Sequence, residues 1–230
     1  MADLAALDGA TIAFDLDGTL VDSAPDLIGT LNVLLAQEGL TPFSLADARP
    51  FIGRGARWLL ERGFSEAGAT IPPERGTELF DRFIAHYNAH IADESRPFPG
   101  AVAALEALKA AGAKLVVCTN KRTDLSVNLL AALDLARLFD AVAGADAVSA
   151  IKPDKAHLIE SVMAVGGDIG RTIMVGDAAT DAGAARGAGT PLILVTFGYT
   201  EIPAAELAPD ILISHYDELV ESCLRLLPPA

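Results

Sequence analysis

The stretch ATIAFDLDGTLVDS, residues 10–23, decides how this chain is read. It begins as an apolar, β-rich run, ends on two carboxylates, Asp15 and Asp17, and turns at once through Gly18 and Thr19. A strand projects residues i and i+2 to one face, so the two acids point the same way. Like charges that close repel unless a cation, a shared proton or a reacting phosphoryl group stands between them. Asp-Gly is also a common turn dipeptide. The pair therefore gains its weight from what stands at the ends of the other strands.

Working outward, the short runs KLVVCT (114–119), DAVAG (140–144), TIMVGD (172–177), PLILVTF (191–197) and DILIS (210–214) alternate with Ala/Leu-rich helical stretches. Near-continuous apolar strands separated by helices predict an α/β fold, a doubly wound, Rossmann-like parallel sheet covered on both faces. Residues 20–96 differ: they hold helical patterns and no convincing buried strand. SAPDLIGTLNVLLAQEGL (23–40) opens with Ser23 as a candidate N-cap and Pro25 in the first turn, and stops at Gly39. ERGTELFDRFIAHYNAH (74–90) repeats apolar residues at helical spacing. A parallel crossover needs about a dozen residues, and this one is several times longer. It reads as an inserted α-helical cap, with RPFPG (96–100) as the return. The expected domains are a core of 1–19 with 97–230, and a cap of 20–96.

Composition narrows the partners. Apolar residues make up 51% of 230, enough for a sizeable core. A net charge of −14 argues against nucleic acid as a general partner, because phosphate contacts need clustered Lys and Arg. An anionic substrate must then be drawn in by a local basic patch or a metal. Cys118 and Cys223 form no CxxC pair, so neither a disulfide framework nor a zinc site is expected. MADLAALDGA lacks the basic start and apolar stretch of a signal peptide, and no run reaches the length of a membrane span. The expected setting is the cytoplasm, as a monomer or homodimer, without a membrane partner.

Ligand sites in open parallel sheets form at the carboxyl ends of the strands. There the sequence sets Asp15 and Asp17, then Thr119, Asn120 and Lys121, then Gly176 and Asp177, with Asp181 shortly after; Lys152 precedes Pro153 at a helix entrance. A hard cation such as Mg2+ suits a carboxylate cluster and relieves its repulsion. With the cation and Lys152 present, a phosphate dianion can approach a carboxylate nucleophile. Asp15 can attack phosphorus to give an aspartyl-phosphate, and Asp17 can serve as acid to the leaving alkoxide and base to water. Thr119 and nearby N–H groups would hold the transferring oxygens.

DLDGTLVDS, VVCTN, KPDK and VGDAATD, in this order, resemble the four motifs of the haloacid dehalogenase superfamily. The resemblance covers the whole chain, with 20–96 in the place of that family's cap. DSAPDL, FIGRGARWLL and RPFPG look most like its phosphoglycolate phosphatases. It implies Asp15 as nucleophile, Asp17 as acid/base, and Mg2+ held by the Asp15 and Asp177 side chains and the Asp17 carbonyl. It also implies Thr119 and Lys152 on the phosphoryl group and Asp181 supporting Lys152 or the metal waters. The acid at position 17 separates the chain from the dehalogenases, and the absence of Lys in 20–96 separates it from the phosphonate hydrolases. The fourth motif often reads GDS; here Ala178 stands in place of that Ser. The expected substrate is a small anionic phosphomonoester, most of all 2-phosphoglycolate. Another small phosphate ester, or sugar-phosphate mutase chemistry, is the neighbouring reading. A receiver-type signalling module is disfavoured by Thr119 at the end of a strand where a receiver carries its phosphorylated Asp.

Other features read as structural. His86 and His90 are four apart, but no HEXXH and no third ligand accompany them. Cys118 lies in an apolar strand as a small core residue. The segment RPFIGRGARWLLER (49–62) is different, since it sets Arg49, Arg54, Arg57 and Arg62 against the single acid Glu61. Incidental solvated arginines account well for Arg49 and Arg62. Arg54, between Gly53 and Gly55, is expected to bring a forked donor to a substrate carboxylate as the cap closes.

Overall fold

The computed structural model describes residues 4–227; the outermost residues of the expected core, 1–3 and 228–230, lie outside them. Strand β1 (Thr11–Phe14) is buried at every position. It is followed by β2 (Val21–Asp22), α1 (Ala24–Gln37), α2 (Leu45–Ala48), α3 (Ala56–Glu66), α4 (Pro73–Ala89) and β3 (Arg96–Pro97). Next come α5 (Ala101–Ala110), β4 (Lys114–Cys118), α6 (Thr123–Ala132), β5 (Ala141–Ala143) and α7 (Lys155–Ala164). The chain ends with β6 (Thr172–Gly176), α8 (Ala179–Ala188), β7 (Leu192–Val195), β8 (Ile211–Ile213) and α9 (Leu219–Leu226).

The main sheet has the order β5-β4-β1-β6-β7-β8, with every neighbouring pair parallel. Winding runs from β1 to one edge, then restarts beside β1 and runs to the other. Such a reversal opens a crevice at the strand carboxyl ends. Register fixes what meets there. Phe14 is level with Val117 and Val175, so the residues that follow leave the sheet side by side.

Alternation along the strands covers both faces. Ile12, Phe14, Leu115 and Val175 bury against one side, with Leu105 of α5 and Leu219 of α9. Ala13, Val116 and Met174 bury against the other, with Leu158 of α7 and Ala185 of α8. This is the doubly wound arrangement that the apolar runs predict.

The helices of the insertion pack on one another through Leu31, Leu34, Leu60, Phe64 and Phe83, all buried. At Gly63 the approach is so close that an added Cβ would lie 2.6 Å from Leu31. Helix α1 ends as expected. Gly39 takes φ +74°, and Leu40 N–H bonds back to Leu35 O at 2.8 Å. Its start differs. Ser23 occupies the N-cap position but makes no side-chain cap bond; its hydroxyl is committed to Asp17 instead.

Residues 20–96 are expected to hold no convincing buried strand; at the segment's edges a pair of two-residue strands forms that is only partly buried. Val21 pairs with Pro97 and Asp22 with Arg96, antiparallel. The departing and returning chains pass one another there, and pairing satisfies their backbone groups.

Candidate active site

Asp15 extends β1, donating its N–H to Val175 O at 2.9 Å. Its Oδ1 lies 2.9 Å from the Lys152 ammonium, which also donates to Asp181 Oδ1 at 2.7 Å. Lys152 is 1% exposed. A buried ammonium is costly unless paired, and the two carboxylates supply the pairing. Burial alone would lower the lysine pKa, but Asp15 and Asp181 outweigh it and the net shift is upward. The lysine stays charged.

Its backbone is held as firmly. Asn120 Oδ1 accepts from Lys152 N at 3.0 Å, and Asn120 Nδ2 donates to Lys152 O at 3.0 Å. The amide therefore joins the loop after β4 to the loop before α7. His157 Nδ1 also accepts from Lys152 N, at 3.2 Å, which leaves the proton on Nε2 to donate to Ala143 O at 3.1 Å. Burial, then the Lys152 charge, pushes the His157 pKa down to about 4.

Asp177 Oδ2 accepts from Tyr199 N at 2.7 Å, and its Oδ1 accepts from Thr19 Oγ1 at 3.1 Å. Asp181 Oδ2 accepts from the N–H groups of Asp177 and Ala178, each at 3.0 Å. Asp181 thus serves the start of α8 with one oxygen and Lys152 with the other. One oxygen from each of Asp15, Asp177 and Asp181 falls within a 4.8 Å span. Burial, partly offset by Lys152 and reinforced by the neighbouring acids, pushes the Asp15 pKa up to about 6. Burial, then the neighbouring Asp181 and Asp15, raise the Asp177 pKa well above its ordinary value.

One lysine leaves this repulsion partly unrelieved, and an all-oxygen donor set fits a hard divalent cation such as Mg2+. The backbone closes tightly around the cluster. Gly18, at φ +84°, would place a Cβ 2.6 Å from Asp177 Oδ2, and Gly198 would place one 2.4 Å from it. No side chain fits at either position.

The expectation that Asp15 and Asp17 point the same way is corrected: β1 ends at Phe14, strand alternation does not carry through to position 17, and the Asp17 carboxylate turns away from this cluster. Its Oδ1 accepts from Ser23 Oγ at 2.5 Å, and both oxygens face the Lys121 ammonium at 3.1 and 3.2 Å. Lys121 also donates to the Tyr87 hydroxyl of α4 at 2.8 Å. Its backbone N–H bonds Thr119 Oγ1 at 3.2 Å.

Above these groups lies a cavity of about 200 Å³. Asp15, Asp17, Thr119, Asn120 and Lys121 line it from the sheet, and Gly53, Arg54, Arg57, Phe80 and Tyr87 from the insertion. Asn120 Nδ2 also donates to Gly53 O at 3.3 Å, linking floor and roof.

The arginine cluster divides in two. Arg49 pairs with Asp22 at 2.9 Å and Arg62 with Glu66 at 2.8 Å. Arg54 and Arg57 are exposed and stack 4.8 Å over Trp58 and 4.4 Å over Phe80. Among the described residues neither has a carboxylate partner. His86 and His90 lie elsewhere, bonded to Thr30 and Asp93.

Every residue singled out at the strand ends therefore lies on this rim. Sequence reasoning gave Ser23 only a capping role, passed over Tyr87 and Tyr199, and gave Lys121 no role. Lys121 directly follows the residues that end β4, which was the available signal. Tyr199 lies 22 positions beyond Asp177 in sequence and gave none.

Comparison with known proteins agrees with this geometry. A model of the haloacid dehalogenase-like hydrolases matches residues 12–195. The chain is 56% identical over 227 residues to a phosphoglycolate phosphatase of Caulobacter vibrioides, covering 99% of this chain and 96% of that one. It is 44% identical over 214 residues to a phosphoglycolate phosphatase of Agrobacterium fabrum, covering 93% and 92%. A crystal structure of a predicted phosphoglycolate phosphatase from Haemophilus somnus superposes with a TM-score of 0.87 at 31% identity, covering 94% and 98%. The chain belongs to the haloacid dehalogenase-like hydrolases.

Proposed function

We propose that the chain is a Mg2+-dependent phosphomonoester hydrolase whose substrate is 2-phosphoglycolate. The observation that carries this is the placement of Asp15. It ends the central strand under the cavity, between a charged, buried lysine and two further acids. The names of relatives up to 56% identical support the substrate. Residues 1–19 and 97–230 would act as the catalytic core and 20–96 as a cap closing over it.

Asp15 and Asp177 would hold the cation, with the Asp17 carbonyl as the resemblance implies and Asp181 beside them holding Lys152. When bound, the cation neutralises acids and phosphoryl oxygens, so that the anion can approach. Lys152 and Thr119 grip the phosphoryl group, with Asn120 fixing the Lys152 loop. Asp15 Oδ attacks phosphorus as the bond to the glycolate oxygen breaks, and that oxygen takes the proton that Asp17, entering the step in its acid form, carries. Water then attacks the Asp15-bound phosphorus and loses a proton to Asp17. The P–O bond to Asp15 breaks, inorganic phosphate leaves, and both aspartates return to their starting states. Arg54 and Arg57, which have no acid partners among the described residues, draw the anion beneath the cap.

Phosphate release from a panel of small phosphomonoesters with Mg2+ tests this reading. Phosphoglycolate should show the highest kcat/KM, and chelation should abolish turnover until Mg2+ is restored. A flat panel would overturn the substrate, and full activity in excess chelator would overturn the metal.

A further inference from the structure

We propose that Lys121 is the residue that reads the far carboxylate of the substrate. The inference rests on the phosphoglycolate reading and assigns its selectivity to one side chain.

Lys121 is 7% exposed and lines the cavity floor. An ammonium has three N–H donors. The two oxygens of one carboxylate subtend too narrow an angle for separate donors, so Asp17, at 3.1 and 3.2 Å, takes one N–H between them. The Tyr87 hydroxyl takes the second at 2.8 Å. Among the described residues no acceptor takes the third. The Tyr87 ring, 4.3 Å from Nζ, further fixes the ammonium. A buried, aimed cation with a spare donor in a cavity awaits an anion.

Substrate size decides which anion. In phosphoglycolate the carboxylate carbon lies two bonds from the bridging oxygen, about 2.4 Å away. Asp17 must hydrogen-bond that bridging oxygen to protonate it. The carboxylate therefore lands beside whatever cation touches Asp17, and that cation is Lys121. Lys152 is already held by Asp15 and Asp181 on the other side. Arg54 stands on an exposed loop, stacked on Trp58. The surrounding wall includes Leu27, Leu59, Phe80 and Leu125, where an unpaired carboxylate would be costly. A neutral group in its place would leave the spare N–H unsatisfied.

The test compares phosphoglycolate with ethyl phosphate, in which a methyl group replaces the carboxylate. Removing Lys121 also disturbs Asp17, so both substrates should slow, and the ratio of their kcat/KM values carries the answer. Wild type should prefer phosphoglycolate. Lys121→Met should cut that preference by about 10–100-fold, as for losing a charged hydrogen bond, and Lys121→Arg should restore most of it. If Lys121→Met fails to fold, Lys121→Gln, which can still bond Asp17 and Tyr87, carries the same measurement. An unchanged ratio in the uncharged variant would confine Lys121 to orienting Asp17 and overturn the proposal. A wild type with no preference would overturn the substrate reading, and this inference with it.

Discussion

The floor and the roof of the cavity use cations in opposite ways. On the floor, Lys152 and Lys121 are buried, and each is fixed by a carboxylate and a second polar partner. On the roof, Arg54 and Arg57 are exposed, stacked on aromatic rings and, among the described residues, without acids. A buried pair holds one geometry because releasing either member strands a charge. An exposed arginine on a ring can swing at little cost. On the proposed reading, the floor would make and break bonds at fixed distances and the roof would gather an anion. Losses on the floor should be large and fall on kcat; losses on the roof should be small and fall on KM.

The floor breaks hardest at its first two acids. Asp15→Asn should lower kcat by about 10⁴-fold or more, because it would remove the proposed nucleophile. Asp17→Asn should cost about 10²–10⁴-fold, in line with lost acid–base assistance. Single-turnover phosphate release measures both, and near-native rates in either would end the role given to that residue. Asp177→Asn should raise the Mg2+ concentration needed for half-maximal activity by about 10–100-fold. A Mg2+ titration of activity and of Tm reads this, and an unchanged midpoint would remove Asp177 from the metal site.

The floor was also the legible part. Parallel strands buried on both faces read as apolar runs, so their carboxyl ends could be located, and with them Asp15, Thr119 and Asp177. What stayed hidden was direction. Ser23 reads as a helix cap, yet its hydroxyl is taken by Asp17; both are local hydrogen bonds open to a serine, and sequence does not choose between them. Lys121 follows a strand end, but only the loop path turns its ammonium under Tyr87. Arg62 could be paired with Glu66 from spacing alone, an i,i+4 pair. Arg49 could not, because its partner Asp22 lies 27 positions away in the chain.

Protonation sharpens the contrast, since a fixed floor should resist charging. His157 is fully buried, accepts from Lys152 N and has its pKa lowered to about 4 by burial and then by Lys152. In the unfolded chain it titrates near 6.5. Between those values the unfolded state binds the extra proton, so stability falls as pH drops from about 6.5 to about 4. The contribution approaches about 3 kcal/mol. Denaturant melts of wild type and His157→Asn across that range isolate it. The difference between the two proteins should shrink as pH falls. A constant difference would show that His157 is not held neutral.

The smallest effect is expected on the roof. Arg54 touches a ring rather than an acid, so its removal strands no partner and leaves the floor distances intact. What it supplies is positive charge at the mouth of a cavity in a chain of net charge −14. Arg54→Ala should lower kcat/KM by about tenfold, mainly through KM, and the loss should fade as salt screens the field. With the carboxylate assigned to Lys121, phosphoglycolate and ethyl phosphate should both lose, phosphoglycolate modestly more because the field acts on its extra charge. A loss confined to phosphoglycolate would instead give Arg54 the forked grip on the carboxylate. A fall in kcat as large as that of the floor variants would erase the division between floor and roof.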